Sequence, residues 1–249
     1  MFSRSLARVA SIIPSSVKYP LSGLRPLYTF IMGVGQPTVS VKTAAGPVRW
    51  QVDGLTSQSF MFGTYEPFMQ EAFVKFVRTG SVVYDVGSHA GYHTVLCALL
   101  VGPSGSTVAF EPNPANFRSV SQQLELNSFG QVSLSSFALS DHCGKQRMDT
   151  SVSSGQTRVD SSGDLEVEAH TLDCLVETRG FSPPSVIKID VEGHEGQVLK
   201  GALSTLERYH PVVICDYNDS TTLGTVTQIL GPLGYEVTAG PPITAVPKS

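Results

Sequence analysis

The stretch Val82-Val83-Tyr84-Asp85-Val86-Gly87-Ser88-His89-Ala90-Gly91-Tyr92-His93-Thr94 leaves a chain few ways to fold. A β-branched run that ends in an acid, then two spaced glycines, then a helical pattern reads as a strand, a tight turn and a helix start. Such a junction presents backbone N–H groups and a helix N-terminus to a bound group. A second acid, Glu111, closes the apolar run Ser106-Thr107-Val108-Ala109-Phe110. Its distance from Gly87 is close to the roughly 20 residues at which an acid meets a nucleotide ribose.

The rest of the chain repeats the alternation. Residues 37–53 alternate apolar and polar around Gly46-Pro47 and predict a hairpin. Phe68, Met69, Phe73, Phe76 and Val77 recur at helical spacing, which predicts a helix ending near Gly80. Strands over 81–86, 106–111, 132–138, 185–190 and 211–216 alternate with helices over 91–101, 114–127, 194–208 and 221–231. Tyr235-Glu236-Val237 and Ile243-Thr244-Ala245-Val246 can pair at the end. Residues 141–164, rich in Ser, Gly and Asp, read as a long loop or insertion. The pattern predicts an α/β fold, a mainly parallel sheet with helices on both faces, with its ligand at the carboxyl ends of the strands. Residues 1–60 form an arm and hairpin, and 61–249 the main domain.

Charge narrows the function classes. The net charge is −4, which gives no overall nucleic-acid groove, so nucleic acid is not an expected partner. The first 52 residues carry Arg4, Arg8, Lys18, Arg25, Lys42 and Arg49 and no acid. With Leu6, Val9, Ile13 and Val17 at helical spacing, they suit an arm that packs on the domain or rests near a membrane surface or, alternatively, a mitochondrial presequence. No run reaches the roughly 18 apolar residues of a spanning helix, Leu27 to Val34 coming nearest. Cys97, Cys143, Cys174 and Cys215 lack metal-ligand spacing, and a reducing cytosol is the default compartment. The oligomeric state is not legible.

The glycine spacing sorts the cofactors. A dinucleotide fingerprint places glycines at the second and fifth positions after the first. Those positions hold His89 and Tyr92, and Asp85 precedes the turn. A pyrophosphate would meet a carboxylate there. S-adenosylmethionine, with an ammonium, a carboxylate and a positive sulfonium, suits an acid plus backbone donors. An NAD-dependent oxidoreductase is the reading this spacing opposes.

Asp85-Val86-Gly87, Phe110-Glu111-Pro112 and Lys188-Ile189-Asp190-Val191-Glu192-Gly193-His194-Glu195 with Leu199-Lys200-Gly201-Ala202 together resemble the FkbM-like family of S-adenosylmethionine-dependent methyltransferases. Ala138-Leu139-Ser140-Asp141 and Thr171-Leu172-Asp173 also match, and the likeness runs from Tyr65-Glu66-Pro67 to Gly234-Tyr235. The resemblance implies a Rossmann-like class I methyltransferase fold, a seven-stranded sheet with the last strand antiparallel, and O-methylation of a hydroxyl on a small molecule such as a sugar, polyketide or glycolipid. It implies that Asp85, Gly87, Ser88, His89 and Gly91 line the methionine end of S-adenosylmethionine. Glu111, beside Pro112, would hold the ribose hydroxyls, and Ser140 and Asp141 would lie near the adenine. Asp190 would sit by the transferred methyl, with Glu192 and His194 facing the acceptor. The family usually has Asn where this chain has His89.

A hydroxyl acceptor must lose a proton, so Asp190 or His194 is the expected base. His194 has a plainer role as a first-turn helix residue that orients its neighbours, and His93 one as a packing residue. An acid at position 192 also favours a helix start by roughly 0.3–1 kcal/mol without any chemistry. Asp190, Glu192 and His194 have ligand-type atoms at alternate positions, but no further converging ligand is visible and no metal is assigned. A methyltransferase-like binding module without catalysis is the remaining alternative; the complete motif set opposes it. Tyr65, Phe68 and Tyr92 read as core or as contacts to a ring.

Overall fold

The computed structural model describes residues 37–150, 158–217 and 220–248. The helical stripe from Leu6 to Val17 and the apolar run 27–34 lie outside them. The described chain opens with the expected hairpin, β1 (Thr38–Thr43) against β2 (Gly46–Gln51). Its inward residues Val41, Val48 and Trp50 are buried, and α1 (Gln58–Phe62) closes over them with Phe60. α2 (Pro67–Phe76) follows, and the chain turns extended at Val77 rather than continuing toward Gly80.

β3 (Val82–Val86), α3 (Tyr92–Val101), β4 (Ser106–Phe110), α4 (Pro114–Asn127) and β5 (Val132–Ser135) form the first half of the main domain. β6 (Ala138–Leu139), β7 (Gly144–Asp149), β8 (Arg158–Val159) and β9 (Leu165–His170) leave the main sheet. α5 (Leu172–Thr178), β10 (Val186–Ile189), α6 (Glu195–Lys200), α7 (Leu203–Tyr209), β11 (Val212–Cys215), α8 (Ser220–Leu230), β12 (Tyr235–Thr238) and β13 (Ile243–Pro247) complete it.

The seven-stranded sheet runs β12-β13-β11-β10-β3-β4-β5. β11, β10, β3, β4 and β5 are parallel, and β13 is antiparallel to both its neighbours. Strand order reverses between β3 and β10, which is where an open α/β sheet opens its ligand crevice. The strands are buried on both faces. Tyr84, Ile187, Ile189 and Val213 pack with α5 to α8, while Val83, Val186 and Ile214 pack with α2 and α3. Among the described residues no helix is long and apolar enough to cross a membrane.

Three elements differ from the sequence expectation. Residues 141–164 are not a long loop: β7 and β8 lie there, and with β6 and β9 they form a second sheet in the order β6-β9-β7-β8. β7 buries Gln146 and Met148 while Lys145 and Arg147 stay outward, so only two of its side chains face the core and one is polar. Its composition hides the alternation. The strand expected over 132–138 divides for the same reason, its end joining the second sheet as β6. The helix expected over 194–208 breaks into α6 and α7 at Gly201-Ala202. There the backbone passes so close to Ser140 that a Cβ on Gly201 would lie 1.9 Å from its carbonyl oxygen.

Candidate active site

The turn after β3 is fixed by contact with β10. Gly87 has φ +79°, and a Cβ there would stand 1.9 Å from the Asp190 carbonyl oxygen, so both the backbone angle and the space demand glycine. His89 has φ +50°. Asn, Asp and His enter this left-handed region more readily than other side chains, so His at an Asn position keeps the turn. The His89 N–H donates to Glu111 Oε2 at 2.7 Å.

Glu111, just past β4, is buried. Its Oε1 accepts from the Asn113 N–H at 3.0 Å and from Asn116 Nδ2 at 3.3 Å. Burial pushes its carboxyl up to about 7, against the lowering effect of the Asn113 and His89 N–H groups. A carboxylate has about four lone-pair sites, so it retains acceptor capacity toward the cleft.

Asp85 lies inside β3, opposite Lys188 of β10 in the sheet register. Lys188 is 1% exposed, in a strand whose other residues are apolar. Its Nζ lies 3.1 Å from Asp85 Oδ1 and 3.5 Å from Asp190 Oδ2, and it donates to the Gly87 carbonyl at 2.5 Å. Burial alone would push the Lys188 ammonium down, but Asp85 and Asp190 outweigh it and hold it raised. Thr94 Oγ1 donates to the other Asp85 oxygen at 2.6 Å. Asp85, fully buried, therefore anchors Lys188 beneath the glycine turn.

Four acids from three segments face the opposite wall: Glu66 before α2, Asp190 and Glu192 after β10, and Asp216 after β11. Glu66 and Glu192 have φ +40° and +52°, rare for side chains of this kind. Burial, then repulsion from Asp190 and Asp216, pushes the Glu192 carboxyl up to about 7. Burial also raises Glu66, and burial with Asp190 raises Asp216. His194 is buried at the start of α6, its Nε2 3.0 Å from Ser140 Oγ, and burial lowers its pKa. His93 lies behind Glu66, 3.7 Å from its carboxylate, and burial pushes its imidazole down to about 3, so it stays neutral.

These walls line a cleft of about 190 Å³, open to solvent. Of the residues singled out from sequence, it gathers Gly87, His89, Glu111, Pro112, Asp190, Glu192 and His194. Ser88 lines a smaller adjoining cavity with Tyr65, Lys188 and Asp190, and its buried hydroxyl has no hydrogen-bond partner there. Asp85 and Gly91 sit behind the wall, Gly91 packing on Val120. Ser140 supports His194 from outside the cleft, and Asp141 is exposed and bonded to the His142 ring at 2.9 Å. Tyr92 stacks on Phe60 in the hairpin core, Tyr65 reaches the cleft, and Phe68 is exposed. Glu66, Asn116, Phe137, Met148, Val159 and Asp216 line the cleft without having been assigned a role from sequence. Asp216 had the same signal as Asp190, an acid ending an apolar run. Among the described residues no group of three or more His, Cys, Asp or Glu is placed to hold a metal ion.

The sequence profile of the FkbM methyltransferase domain matches residues 85–237. The hexuronic acid methyltransferase AglP of Haloferax volcanii is 32% identical over 135 residues, covering 53% of this chain and 54% of its own. The chain thus spans about half the length of that curated relative. In three dimensions it is similar to the FkbM methyltransferase of Methylobacillus flagellatus, with TM-score 0.51 and 16% identity over 90% of this chain and 59% of that one. It is also similar to an S-adenosylmethionine-dependent O-methyltransferase of Thermotoga maritima, with TM-score 0.51 and 12% identity over 90% and 82%. The two structural likenesses carry the fold.

Proposed function

This chain belongs to the FkbM methyltransferase family, and from that premise we propose that it methylates a hydroxyl oxygen of a small molecule, a sugar being the acceptor class we favour. S-adenosylmethionine is the cofactor and supplies an electrophilic methyl group on its sulfonium. The residues fit it. Glu111 faces the cleft with acceptor capacity left for a ribose hydroxyl, and the unpartnered Ser88 hydroxyl and buried His89 Nε2 would offer polar contacts to the amino-acid end. The acids beside Asp190 would give a positive sulfonium a complementary field.

The observation that carries the acceptor side is the placement of Glu192. It lines the cleft, and among the described residues no hydrogen bond or ion pair holds it. His194 is engaged with Ser140 and Asp190 with Lys188. A carboxylate near 7 is matched to taking a proton at neutral pH, so Glu192 is the base we assign, with Asp190 and His194 as its positioning neighbours. Phe137, Met148 and Val159 give the acceptor an apolar wall. Among the described residues the cleft lining holds no Lys or Arg, so a uronate carboxylate finds no ion partner there. A neutral or amino sugar is favoured over the hexuronic acid named for the relative.

Calorimetric titration of S-adenosylmethionine and S-adenosylhomocysteine, followed by tritiated methyl transfer to neutral, amino and uronic methyl glycosides, tests this. Micromolar binding and transfer to a neutral or amino glycoside are expected. Folded protein that binds neither cofactor form overturns the methyltransferase reading. Binding with transfer only to the uronide overturns the acceptor assignment alone.

A further inference from the structure

Outside the cleft, the fold brings two thiols together. Cys143 is exposed on the turn between β6 and β7, and Cys174 is half-buried in the first turn of α5; both are free. The second sheet creates the meeting. Gly144 pairs with Ala169, so the residue before it lies against the end of β9 where the chain enters α5 through Thr171. Cys143 thus neighbours the Thr171 N–H, the His170 ring and Cys174, each of which lowers its pKa. Cys97 and Cys215 are buried in the main core, away from this surface.

We propose that Cys143 and Cys174 are a redox-active dithiol, a modification site that peroxide closes to an intramolecular disulfide. The Thr171 N–H, and after it the His170 ring, hold the Cys143 thiol down at about 7, which makes it the attacking sulfur. Its thiolate displaces hydroxide from hydrogen peroxide, giving a sulfenic acid, and the hydroxide takes a proton to become water. Cys174 then attacks that sulfur, the S–O bond breaks, and the second water leaves with the Cys174 proton. The two sulfurs lose two electrons and the two peroxide oxygens gain them.

The two partners belong to different parts of the molecule. Cys174 is fixed: Thr171 Oγ1 caps its N–H at 3.0 Å, and the neighbouring Asp173 carboxylate accepts from the Ser204 and Thr205 N–H groups at 3.0 and 2.8 Å. Cys143 ends the turn that holds Ser140 against His194. The disulfide therefore clamps the support of His194 onto the α5–α7 body.

The experiment treats the full chain with hydrogen peroxide, alkylates residual thiols and maps peptides. A Cys143–Cys174 cross-linked peptide, lighter by two hydrogens and restored by dithiothreitol, is expected, with Cys97 and Cys215 still reduced. Cys174→Ser should stop at a dimedone-reactive sulfenic acid on Cys143, and Cys143→Ser should react at least tenfold more slowly. The oxidised protein should melt several degrees higher. Alkylation of both Cys143 and Cys174 after treatment, a cross-link between two chains, direct passage of Cys143 to sulfinic acid in the unsubstituted protein, or an unchanged melting temperature overturns the proposal.

Discussion

At the Gly87 turn, carboxylates are met by donors. Glu111 receives two backbone N–H groups and an amide, and Asp85 receives Lys188 and Thr94. Across the cleft, Glu66, Asp190, Glu192 and Asp216 face one another, two of them on backbone angles that side chains rarely adopt. The first wall is built for positioning: its groups are held before a ligand arrives and need little reorganisation. The second keeps carboxyls in mutual repulsion, which is how a fold lifts an acid into the range where it exchanges protons at neutral pH.

The sharpest way to break this contrast is to remove the donor that serves both walls. Lys188→Met leaves Asp85 buried without its ion partner, and losing one member of a buried pair costs about 3–5 kcal/mol. The melting temperature should drop by roughly 10 °C or more in thermal denaturation. A drop of only a degree or two would show that Asp85 does not depend on Lys188. Next in size, Glu192→Gln should lower kcat by about 10²–10⁴ while leaving the S-adenosylmethionine Kd within twofold, the split expected when a base is removed from the second wall alone (roughly the usual contribution of a positioned acid or base). Glu111→Ala should do the reverse, weakening cofactor binding about tenfold or more by calorimetry, about 1.4 kcal/mol or more. Equal losses of binding in both variants would erase the division of labour.

The smallest effect is a difference in pH dependence. Glu111 and Glu192 have folded-state pKa values of about 7 against an ordinary 4.5. Between those values the folded protein binds more protons than the unfolded chain, so these groups make the ligand-free fold less stable as pH rises through this window. Cofactor affinity should move the other way, rising with pH through about 7, because the ribose hydroxyls need the ionised Glu111 as acceptor. Calorimetric titrations from pH 5.5 to 8, a range bracketing the carboxyl window, should show this slope, and Glu111→Gln should flatten it. An equal slope in Glu111→Gln would assign it elsewhere.

The first wall is the one that sequence makes legible. Glycines, a strand-terminal acid and a β-branched run have strong local preferences, and the parallel architecture follows from their order. Lys188 was hidden because its role depends on register: a lysine in Val186-Ile187-Lys188-Ile189 acquires meaning only when Asp85 lies opposite it. Glu66 and Asp216 come from segments far apart in the chain, and no local pattern brings them together. β7 was missed because its polar outer face, with Lys145 pairing to Glu166 of β9, and its buried Gln146 dilute the alternation that marks a strand. The break at Gly201 was invisible for a related reason, since it answers to the Ser140 backbone from another element.

The second sheet has a consequence for how such a protein diversifies. β6 to β9 are hydrogen-bonded to one another as a ladder separate from the seven-stranded sheet, yet they put Met148 and Val159 into the cleft. Substitutions on that ladder can reshape what enters without touching the Gly87 turn or Glu111. Under the proposed function, the residues that shape the acceptor wall and those assigned to the methyl donor therefore sit on different sheets and can be varied separately.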